Sequence, residues 1–370
     1  MLVDADGGLM LFRVSGVPVL LAPSWWLGSF VVVVLYAPLV GRLLPGAGAV
    51  LSWSLAVAFA LLLGVSVLAH ELGHTLVALR MDIPVRRLRL FLLGGLSEVA
   101  RSPKRPAQEG LVAVAGPLVS LALAGGCGLL LLTVPSGATW LLVAQCAVAN
   151  LAVALFNLLP GLPLDGGRML RAGVWALTGT RGSGTKAAVV GGWLVAAGLA
   201  VWALTGLASG SEDKWLRLGV CVVTGWFVLS GASAELSAEQ RRSWPAGLDI
   251  TQLMLPVLQL PAESPVSDAL AASAGRGVVL VRADGVAAGL LDTVTAERIA
   301  AQTPHVPAEQ AAEPVRADSV LLLSEPGEEI AERVRETAAW QFLVVDDEGK
   351  PVGVLRREDL RAALSRRRGR

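Results

Sequence analysis

Two histidines and a glutamate stand close together in the run His70-Glu71-Leu-Gly-His74. If this segment is helical, the two imidazoles lie one turn apart on the same face, where both can bind a single metal ion. Zinc lowers the pKa of its bound water to ~7, and the adjacent Glu71 carboxylate is placed to accept a proton from that water and pass it to a leaving amine. The run therefore predicts one zinc ion per chain, with His70 and His74 as ligands and Glu71 as the general base.

The surroundings of this run argue against a chance match. A pattern of this kind arises by chance in roughly one chain in a hundred of this length. Glu71 falls inside a long apolar stretch, where ionisable groups cost free energy and are mostly functional. Two of the three histidines in the chain are used here, and His305 is interpreted as a surface residue. The composition therefore favours a metal site.

A catalytic zinc site needs a third protein ligand, and one acidic residue stands out. Asp165 is the only aspartate or glutamate between Glu109 and Glu212. It lies in the run Asn157-Leu-Leu-Pro-Gly-Leu-Pro-Leu-Asp165-Gly-Gly. The prolines disfavour a continuous helix and the glycines allow tight backbone. Irregular backbone at membrane depth is tolerated only where protein or a watery cavity surrounds it. Asp165 is the predicted third ligand. A loop aspartate that caps a helix is the structural alternative, and Glu98 is the weaker rival ligand.

The elements that must position these groups are apolar helices. The chain has 370 residues, of which 54% are hydrophobic and 16% charged, and its mean hydropathy is +0.62. Soluble domains contain about 25% charged residues. A helix of ~20 apolar residues crosses the hydrocarbon core of a bilayer. The sequence predicts a polytopic α-helical membrane protein with about six spans, at about 25–43, 52–79, 110–134, 139–160, 187–208 and 214–236.

The distribution of basic residues predicts how these spans are oriented. If the N-terminus is cytoplasmic, the cytoplasmic segments hold fourteen lysines and arginines and the outside loops hold three. We therefore expect a multi-pass protein of the cell membrane with both termini in the cytoplasm. Spans two and four would then run in the same direction, which brings both motifs to a similar depth near the cytoplasmic side. No cleavable signal peptide is expected, because Asp4 and Asp6 precede the first apolar run.

The segment 83–100, between spans two and three, contains a partly alternating pattern. Apolar and basic residues alternate from Val85 to Leu90, and Gly94-Gly95 offers a turn. The pattern indicates a membrane-associated β-hairpin whose open edge could pair with an unwound substrate strand. A basic cytoplasmic loop is the alternative.

Taken together, the two motifs resemble those of the site-2 protease family of intramembrane metalloproteases. The resemblance implies that His70, His74 and Asp165 bind zinc and that Glu71 is the catalytic base. It also implies that Asn157 steadies the substrate or the oxyanion, which an amide donor does by hydrogen-bonding the developing charge. The implied substrate is a membrane-bound protein that is cleaved within or near its transmembrane segment.

The resemblance ends near residue 240, where the composition becomes that of an ordinary soluble domain. Residues 248–302 and 313–365 resemble one another, each with valine-rich strands, an Asp-Gly or Glu-Gly turn and a closing helix. The pattern looks like a tandem pair of CBS (cystathionine-β-synthase) domains, which implies a soluble α/β pair that regulates, dimerises or docks, and in many members binds an adenosine nucleotide. The implied nucleotide contact is Asp359. Arg356, however, stands where such domains have Thr or Ser.

Three functions follow from these features. The first is a protease within residues 1–240 that carries out regulated intramembrane proteolysis, with its activity modulated by the CBS pair. The second is a CBS-regulated metal or ion transporter, which should show inverted repeats and charges in several spans, whereas this chain concentrates them at one site. The third is an inactive scaffold, which the complete set of ligands and base disfavours. The net charge of +1 and the lack of a strongly basic domain argue against binding to nucleic acid.

Overall fold

The computed structural model describes residues 8–91, 94–99, 103–210, 212–242, 244 and 248–366. The chain divides into two compact units, Met1–Gln240 and Arg241–Arg370. Helices dominate the first unit, and a mixed sheet with short helices forms the second.

The described part of the first unit contains seven helices. They are α1 (Pro23–Leu43), α2 (Ala49–Arg80), α3 (Pro106–Leu130), α4 (Ala138–Asn157), α5 (Asp165–Thr178), α6 (Arg181–Ala208) and α7 (Lys214–Arg242). Six of these are long and apolar enough to cross a membrane, and α5 is the exception. Their apolar side chains point outward as well as inward, since Val50 is 82% exposed and Leu194 69% exposed. Such a surface suits hydrocarbon and not water, so the predicted six-span architecture is confirmed.

The helix boundaries differ from those expected by up to six residues, since α6 begins at Arg181 and not near 187, and α7 ends at Arg242 and not near 236. The third span ends at Leu130 and not near 134, and the fourth ends at Asn157, before the proline-rich run. The run then leads into α5, a helix that the sequence pattern did not reveal. Asp165 is the first residue of α5, and Leu164 occupies the N-cap position. The carboxylate therefore does not serve as the helix cap.

A four-stranded sheet in the first unit lies against the histidine motif. Its strands are β1 (Leu9–Val14), β2 (Val17–Leu21), β3 (Val85–Phe91) and β4 (Gly94–Val99), in that spatial order. The predicted hairpin is present as the antiparallel pair β3–β4, and β3 also pairs in parallel with β2. Leu88 and Leu90 of β3 are buried against Leu68 and Leu72 of α2. The sheet therefore covers the side of α2 that turns away from the two imidazoles.

The N-terminal hairpin was missed by sequence reasoning, although a local signal for it exists. Ser15 and Gly16 form a two-residue loop with φ of 50° and 84°, between the paired residues Val14 and Val17. Positive φ at both loop positions is the type I′ geometry that matches the twist of paired strands. A Ser-Gly dipeptide between valines indicates such a turn.

Small residues let α2 and α3 approach each other closely. A Cβ built on Gly73 would lie 2.9 Å from Val119 Cγ2 and 3.1 Å from the carbonyl oxygen of Ala115. Such close helix packing through small residues is typical of membrane proteins. α4 packs against the same pair, and Asn150 Nδ2 donates to Ser66 Oγ at 3.0 Å. These contacts hold the histidine motif between α3 and the sheet.

The second unit contains two copies of one arrangement around a seven-stranded sheet. The first copy is β5 (Leu255–Pro261), α8 (Val266–Ala272), β6 (Gly277–Val281), β7 (Ala287–Leu291) and α9 (Thr293–Ala300), and β8 (Ala312–Pro314) follows it. The second copy is β9 (Val320–Leu322), α10 (Gly327–Glu336), β10 (Gln341–Val345), β11 (Pro351–Arg356) and α11 (Arg357–Arg366). In each copy the first two strands are parallel and the last two antiparallel. The predicted α/β pair is confirmed by this internal repeat.

Candidate metal centre

Three side chains that are far apart in the sequence meet at one point in the first unit. His70 Nε2, His74 Nε2 and Asp165 Oδ2 form a triangle whose three edges are each 3.2 Å. All three residues are buried, with exposures of 4%, 4% and 8%. They are the one group of metal-binding side chains found together among the described residues. The structure thus brings together the three ligands that the sequence predicts.

Each imidazole is oriented by a hydrogen bond from its other nitrogen to α3. His74 Nδ1 donates to the carbonyl oxygen of Val112 at 2.7 Å, and His70 Nδ1 lies 2.9 Å from Ser120 Oγ. A carbonyl oxygen can only accept, so the proton of His74 sits on Nδ1 and Nε2 keeps its lone pair. Partners of this kind fix the tautomer and the ring plane of metal-binding histidines.

Gly116 of α3 leaves the room that the two donor nitrogens need. A Cβ built at this position would lie 2.2 Å from His74 Nε2 and 2.6 Å from His70 Nε2. Both distances are far shorter than any van der Waals contact between carbon and nitrogen. Any side chain at position 116 would therefore displace the imidazoles.

The donor set and its spacing fit zinc. Two imidazole nitrogens and one carboxylate oxygen are the protein ligands of a common type of catalytic zinc site, which keeps its fourth position for water or substrate. Bonds of 2.0–2.1 Å in a tetrahedral site place neighbouring donors about 3.3–3.4 Å apart. The observed edges of 3.2 Å need only a slight expansion.

The Glu71 side chain lies between α2 and the edge strand β4. Glu71 is buried, with an exposed fraction of 8%. A Cβ built on Gly95 of β4 would lie 2.2 Å from Glu71 Cγ and 3.0 Å from Glu71 Oε1. Glycine at this position therefore lets the backbone of β4 touch the carboxylate. The predicted base therefore lies directly beside the backbone of β4.

Three other polar residues belong to helices or strands that carry or adjoin the residues of this centre. Asn157 ends α4, and its Nδ2 donates to the carbonyl oxygen of Val153 at 3.1 Å, so it is not one of the three clustered donors. Arg168 Nη1 lies 3.9 Å from Asp165 Oδ1, the oxygen that points away from the imidazoles. Glu98 belongs to β4, but its side chain lies outside the described part of the chain.

Comparison with known proteins decides the family. Residues 58–145 and 133–201 match peptidase family M50. The protein sll0528 of Synechocystis sp., which is named as a zinc metalloprotease, is 31% identical over 360 residues, covering 93% of this chain and 92% of that protein. The chain belongs to peptidase family M50. Zinc metalloprotease MJ0392 of Methanocaldococcus jannaschii is 33% identical over 169 residues, or 44% of each chain.

Further matches concern a solved structure and the second unit. The site-2 protease from Methanocaldococcus jannaschii is similar over 62% of this chain and 95% of that chain, with 26% sequence identity and a TM-score of 0.44. Residues 320–366 match a CBS domain. As a member of peptidase family M50, the protein is a multi-pass membrane metalloprotease that uses zinc, with a CBS region at its C-terminal side. The predicted family, enzyme class and cofactor are thereby confirmed.

Sequence reasoning missed the residues that support the site. Val112, Gly116 and Ser120 all lie on α3, at spacings of four residues that place them on one face of the helix. The small residues of the run 113–118, which contains Gly116, are the one available signal, since small residues let membrane helices approach closely. The carbonyl of Val112 carries no sequence signature, because every residue type has the same backbone carbonyl group.

Proposed function

We propose that this enzyme cleaves a transmembrane or membrane-proximal segment of a membrane-bound protein, with zinc held by His70, His74 and Asp165 and with Glu71 as the general base. The triangle of donor atoms supports this assignment most directly, because its edges of 3.2 Å are close to the donor spacing of a tetrahedral zinc site. When bound, zinc supplies the Lewis acidity that brings the pKa of a coordinated water to about 7.

Glu71 performs the proton transfers in this proposal. One oxygen of its carboxylate accepts a proton from the attacking water as the water oxygen bonds to the scissile carbonyl carbon. The carboxyl group then gives the proton to the amide nitrogen as the C–N bond breaks, so that a neutral amine leaves. Burial between α2 and β4 keeps bulk water away from the carboxylate during these steps. Asn157 donates its amide to the substrate or the oxyanion, as the family resemblance implies.

The substrate binds as an extended strand along β4. β4 is the edge of the described sheet, and Gly95 in this strand touches the base. A substrate helix hides its amides in its own hydrogen bonds and must unwind before attack. Main-chain pairing with an edge strand replaces those hydrogen bonds and presents one peptide group to the site.

The enzyme lies in the cell membrane with both termini in the cytoplasm and its active site toward the cytoplasmic side. The bias of basic residues to the cytoplasmic segments supports this orientation. Thiol labelling of a cysteine placed in the loop between α6 and α7 would check it. Reaction with an impermeant reagent added to intact cells is expected, and labelling only after lysis would reverse the assignment.

The first test measures zinc in the purified, detergent-solubilised protein. We expect one zinc per chain in the wild type and an affinity lower by more than about 100-fold in Asp165→Ala, since even the outer partners of zinc ligands contribute 10–100-fold. Asp213→Ala makes the same chemical change at an exposed loop residue and should leave zinc binding unchanged. A wild-type zinc affinity in Asp165→Ala, measured by competition with a chelator, would remove Asp165 from the ligand set.

The second unit contains a cavity that suits the expected adenosine nucleotide. Its volume is about 620 Å³, and its lining includes Trp340 and a group of cationic side chains. These are Arg276, Arg356, Arg357 and Arg361. Burial is the main cause of the lowered pKa of Arg357, and repulsion by the neighbouring guanidinium of Arg361 lowers it further. A bound phosphate would relieve that repulsion, and the exposed indole of Trp340 offers a flat surface for a base.

The sequence candidate Asp359 does not line this cavity among the described residues. Its carboxylate lies 3.9 Å from Arg356 Nε. Asp292 does line the cavity, but its oxygens accept from the backbone of Val294 and from Thr295 Oγ1. We therefore propose that cations and Trp340 hold the nucleotide, with a ribose contact from Asp359 only if Arg356 moves.

Equilibrium dialysis of ATP against the full-length protein tests the nucleotide proposal. We expect saturable binding that weakens about tenfold in Trp340→Ala, because stacking of one base contributes about 1–3 kcal/mol. Arg282→Gln changes an arginine outside the cavity and should bind ATP normally. Absence of saturation at millimolar ATP would leave the CBS pair with a docking or dimerising role.

We further propose functional boundaries at 1–240 for the protease domain and at 248–302 and 313–365 for the two CBS copies, with a homodimer formed through the CBS pair. The repeated strand order within the second unit supports these boundaries. The molar mass in detergent, measured by light scattering, checks the dimer. A purely monomeric mass for the full chain that becomes no larger with ATP would rule it out.

A further inference from the structure

A buried cluster of charges joins four helices of the first unit, and the catalytic steps above do not use it. Glu109 of α3 is fully buried, and Arg171 of α5 is 4% exposed. Arg171 Nε donates to Glu109 Oε1 at 2.6 Å, and a second guanidinium nitrogen contacts the same oxygen. On its other side, Arg171 Nη1 donates to Glu235 Oε2 of α7 at 2.9 Å.

The cluster extends to the start of α6. Arg181 Nε lies 3.5 Å from Glu109 Oε2, and its Nη1 donates to Glu239 of α7. The carboxylate of Glu109 thus faces two guanidinium groups from two different helices. Of the acidic groups in the cluster, Glu109 has the most buried side chain, at 1% exposure against 43% for Glu235.

The Glu109–Arg171 pair lies on the two helices that hold the metal centre together. Glu109 lies three residues before Val112, whose carbonyl orients His74, and the same helix supplies Ser120 to His70. Arg171 lies six residues after Asp165 on α5. One ion pair therefore connects the helix that orients the histidines with the helix that supplies the carboxylate ligand.

Stability alone does not explain why these charges are buried. Removing two charges from water costs as much as their attraction returns, so an apolar pair of similar volume would pack as well. An ion pair with a planar guanidinium differs from an apolar contact in its directionality, because its hydrogen bonds fix the distance and angle between the groups. This property matters where a ligand triangle with edges of 3.2 Å must be preserved.

We propose that the Glu109–Arg171 ion pair, here called the α3–α5 clamp, sets the distance between the two histidines and Asp165 and so tunes the zinc site. Glu109 and Arg171 are positioning residues, since they act through α3 and α5 and touch none of the three donor atoms in the described contacts. The inference rests on the proposed zinc site, and it adds an ion pair that controls the distances between the zinc ligands.

Zinc affinity and a cobalt spectrum test the clamp. We expect Glu109→Gln, which keeps the volume but removes the charge, to weaken zinc binding by about 10–100-fold, the range found for groups that orient metal ligands. The visible absorption of the cobalt-substituted protein should change in intensity and position, because it reports the ligand geometry directly. If Glu109→Gln does not fold, Arg171→Lys serves in its place, since it keeps the charge but loses the planar fork.

A disulfide between α3 and α5 can test whether holding these helices together restores zinc affinity to Glu109→Gln. A Cβ built on Gly110 lies 3.5 Å from Ala172 Cβ, and these residues adjoin Glu109 and Arg171 in the chain. This separation is within the range that a disulfide spans. In a Gly110→Cys/Ala172→Cys background, oxidation should restore to Glu109→Gln most of its lost zinc affinity and the wild-type cobalt spectrum. Equal zinc affinity in the oxidised and reduced forms would overturn the positioning role.

Two control variants separate the clamp from general destabilisation. Glu235→Gln removes the half-exposed partner of the same arginine and should change zinc affinity less than about threefold. Val40→Ala removes a fully buried methyl pair from α1, a helix that carries neither the zinc ligands nor the clamp residues, so it should lower thermal stability alone. A wild type without zinc would contradict the proposed function itself. Normal zinc affinity in Glu109→Gln, together with loss in Asp165→Ala, would contradict the clamp alone.

Discussion

Glu71→Gln is expected to abolish proteolysis while leaving one zinc bound per chain. The Glu71 carboxylate is not part of the donor triangle, so the zinc ligands stay in place. Glutamine has nearly the same volume but accepts no proton at neutral pH, and loss of a general acid–base group costs about 10²–10⁴ in rate. Both proton transfers of the proposed reaction pass through this group, so we expect the upper end of that range. Cleavage of a membrane-spanning reporter in detergent micelles measures the rate, and elemental analysis measures the zinc.

Glu212→Gln is the matched control for this experiment. It makes the same isosteric change at an exposed residue between α6 and α7, and it should retain wild-type cleavage. Reporter cleavage that persists in Glu71→Gln would exclude Glu71 as the base. Zinc binding without any Glu71-dependent cleavage, across a broad set of membrane substrates, would instead favour the transporter hypothesis.

The same variant provides a route to the substrate. An enzyme that holds zinc and the substrate strand but cannot complete proton transfer should leave its substrates uncleaved. Membrane peptides that accumulate in cells carrying Glu71→Gln, compared with cells carrying Glu212→Gln, are therefore candidates. A substrate found in this way must become shorter when the wild-type enzyme is restored.

Gly116→Ala should remove zinc binding without changing any ligand. The added methyl would lie 2.2 Å from His74 Nε2 and 2.6 Å from His70 Nε2, so both imidazoles must rotate away. Rotation breaks the bonds from Nδ1 to Val112 and Ser120 that orient the rings. We expect zinc affinity to fall by more than about 100-fold, because ligands and their orienting partners are disturbed together. Chelator competition measures the affinity.

The chain offers a close control for this change on the same helix. Gly125 of α3 has open space where a Cβ would stand. Gly125→Ala should therefore keep wild-type zinc binding and gain thermal stability, since alanine favours a helix by about 1 kcal/mol over glycine. If Gly116→Ala binds zinc as tightly as Gly125→Ala, the imidazoles have an alternative arrangement, and the packing argument for position 116 is wrong.

The chemistry of this protein is largely local in the sequence. The spacing of His70, Glu71 and His74 follows from the helical repeat, and long apolar runs predict spans whatever their neighbours. Asp165 could be named because a hundred residues around it contain no other carboxylate. The β3–β4 hairpin and the two CBS copies could also be predicted, because alternation and repeats are visible within short segments.

The tertiary structure decided everything that depends on which helix lies beside which. The composition of an apolar span does not indicate which other spans pack against it. The sequence therefore does not reveal that α3 orients both histidines. A backbone carbonyl such as that of Val112 and an open space such as that over Gly116 have no residue type of their own. The same holds for Glu109 and Arg171, which are 62 positions apart and become a pair only when α3 packs on α5. The sequence by itself determined which side chains could bind zinc and activate water. Helix packing determined the distances between these side chains and the orientation of the imidazoles.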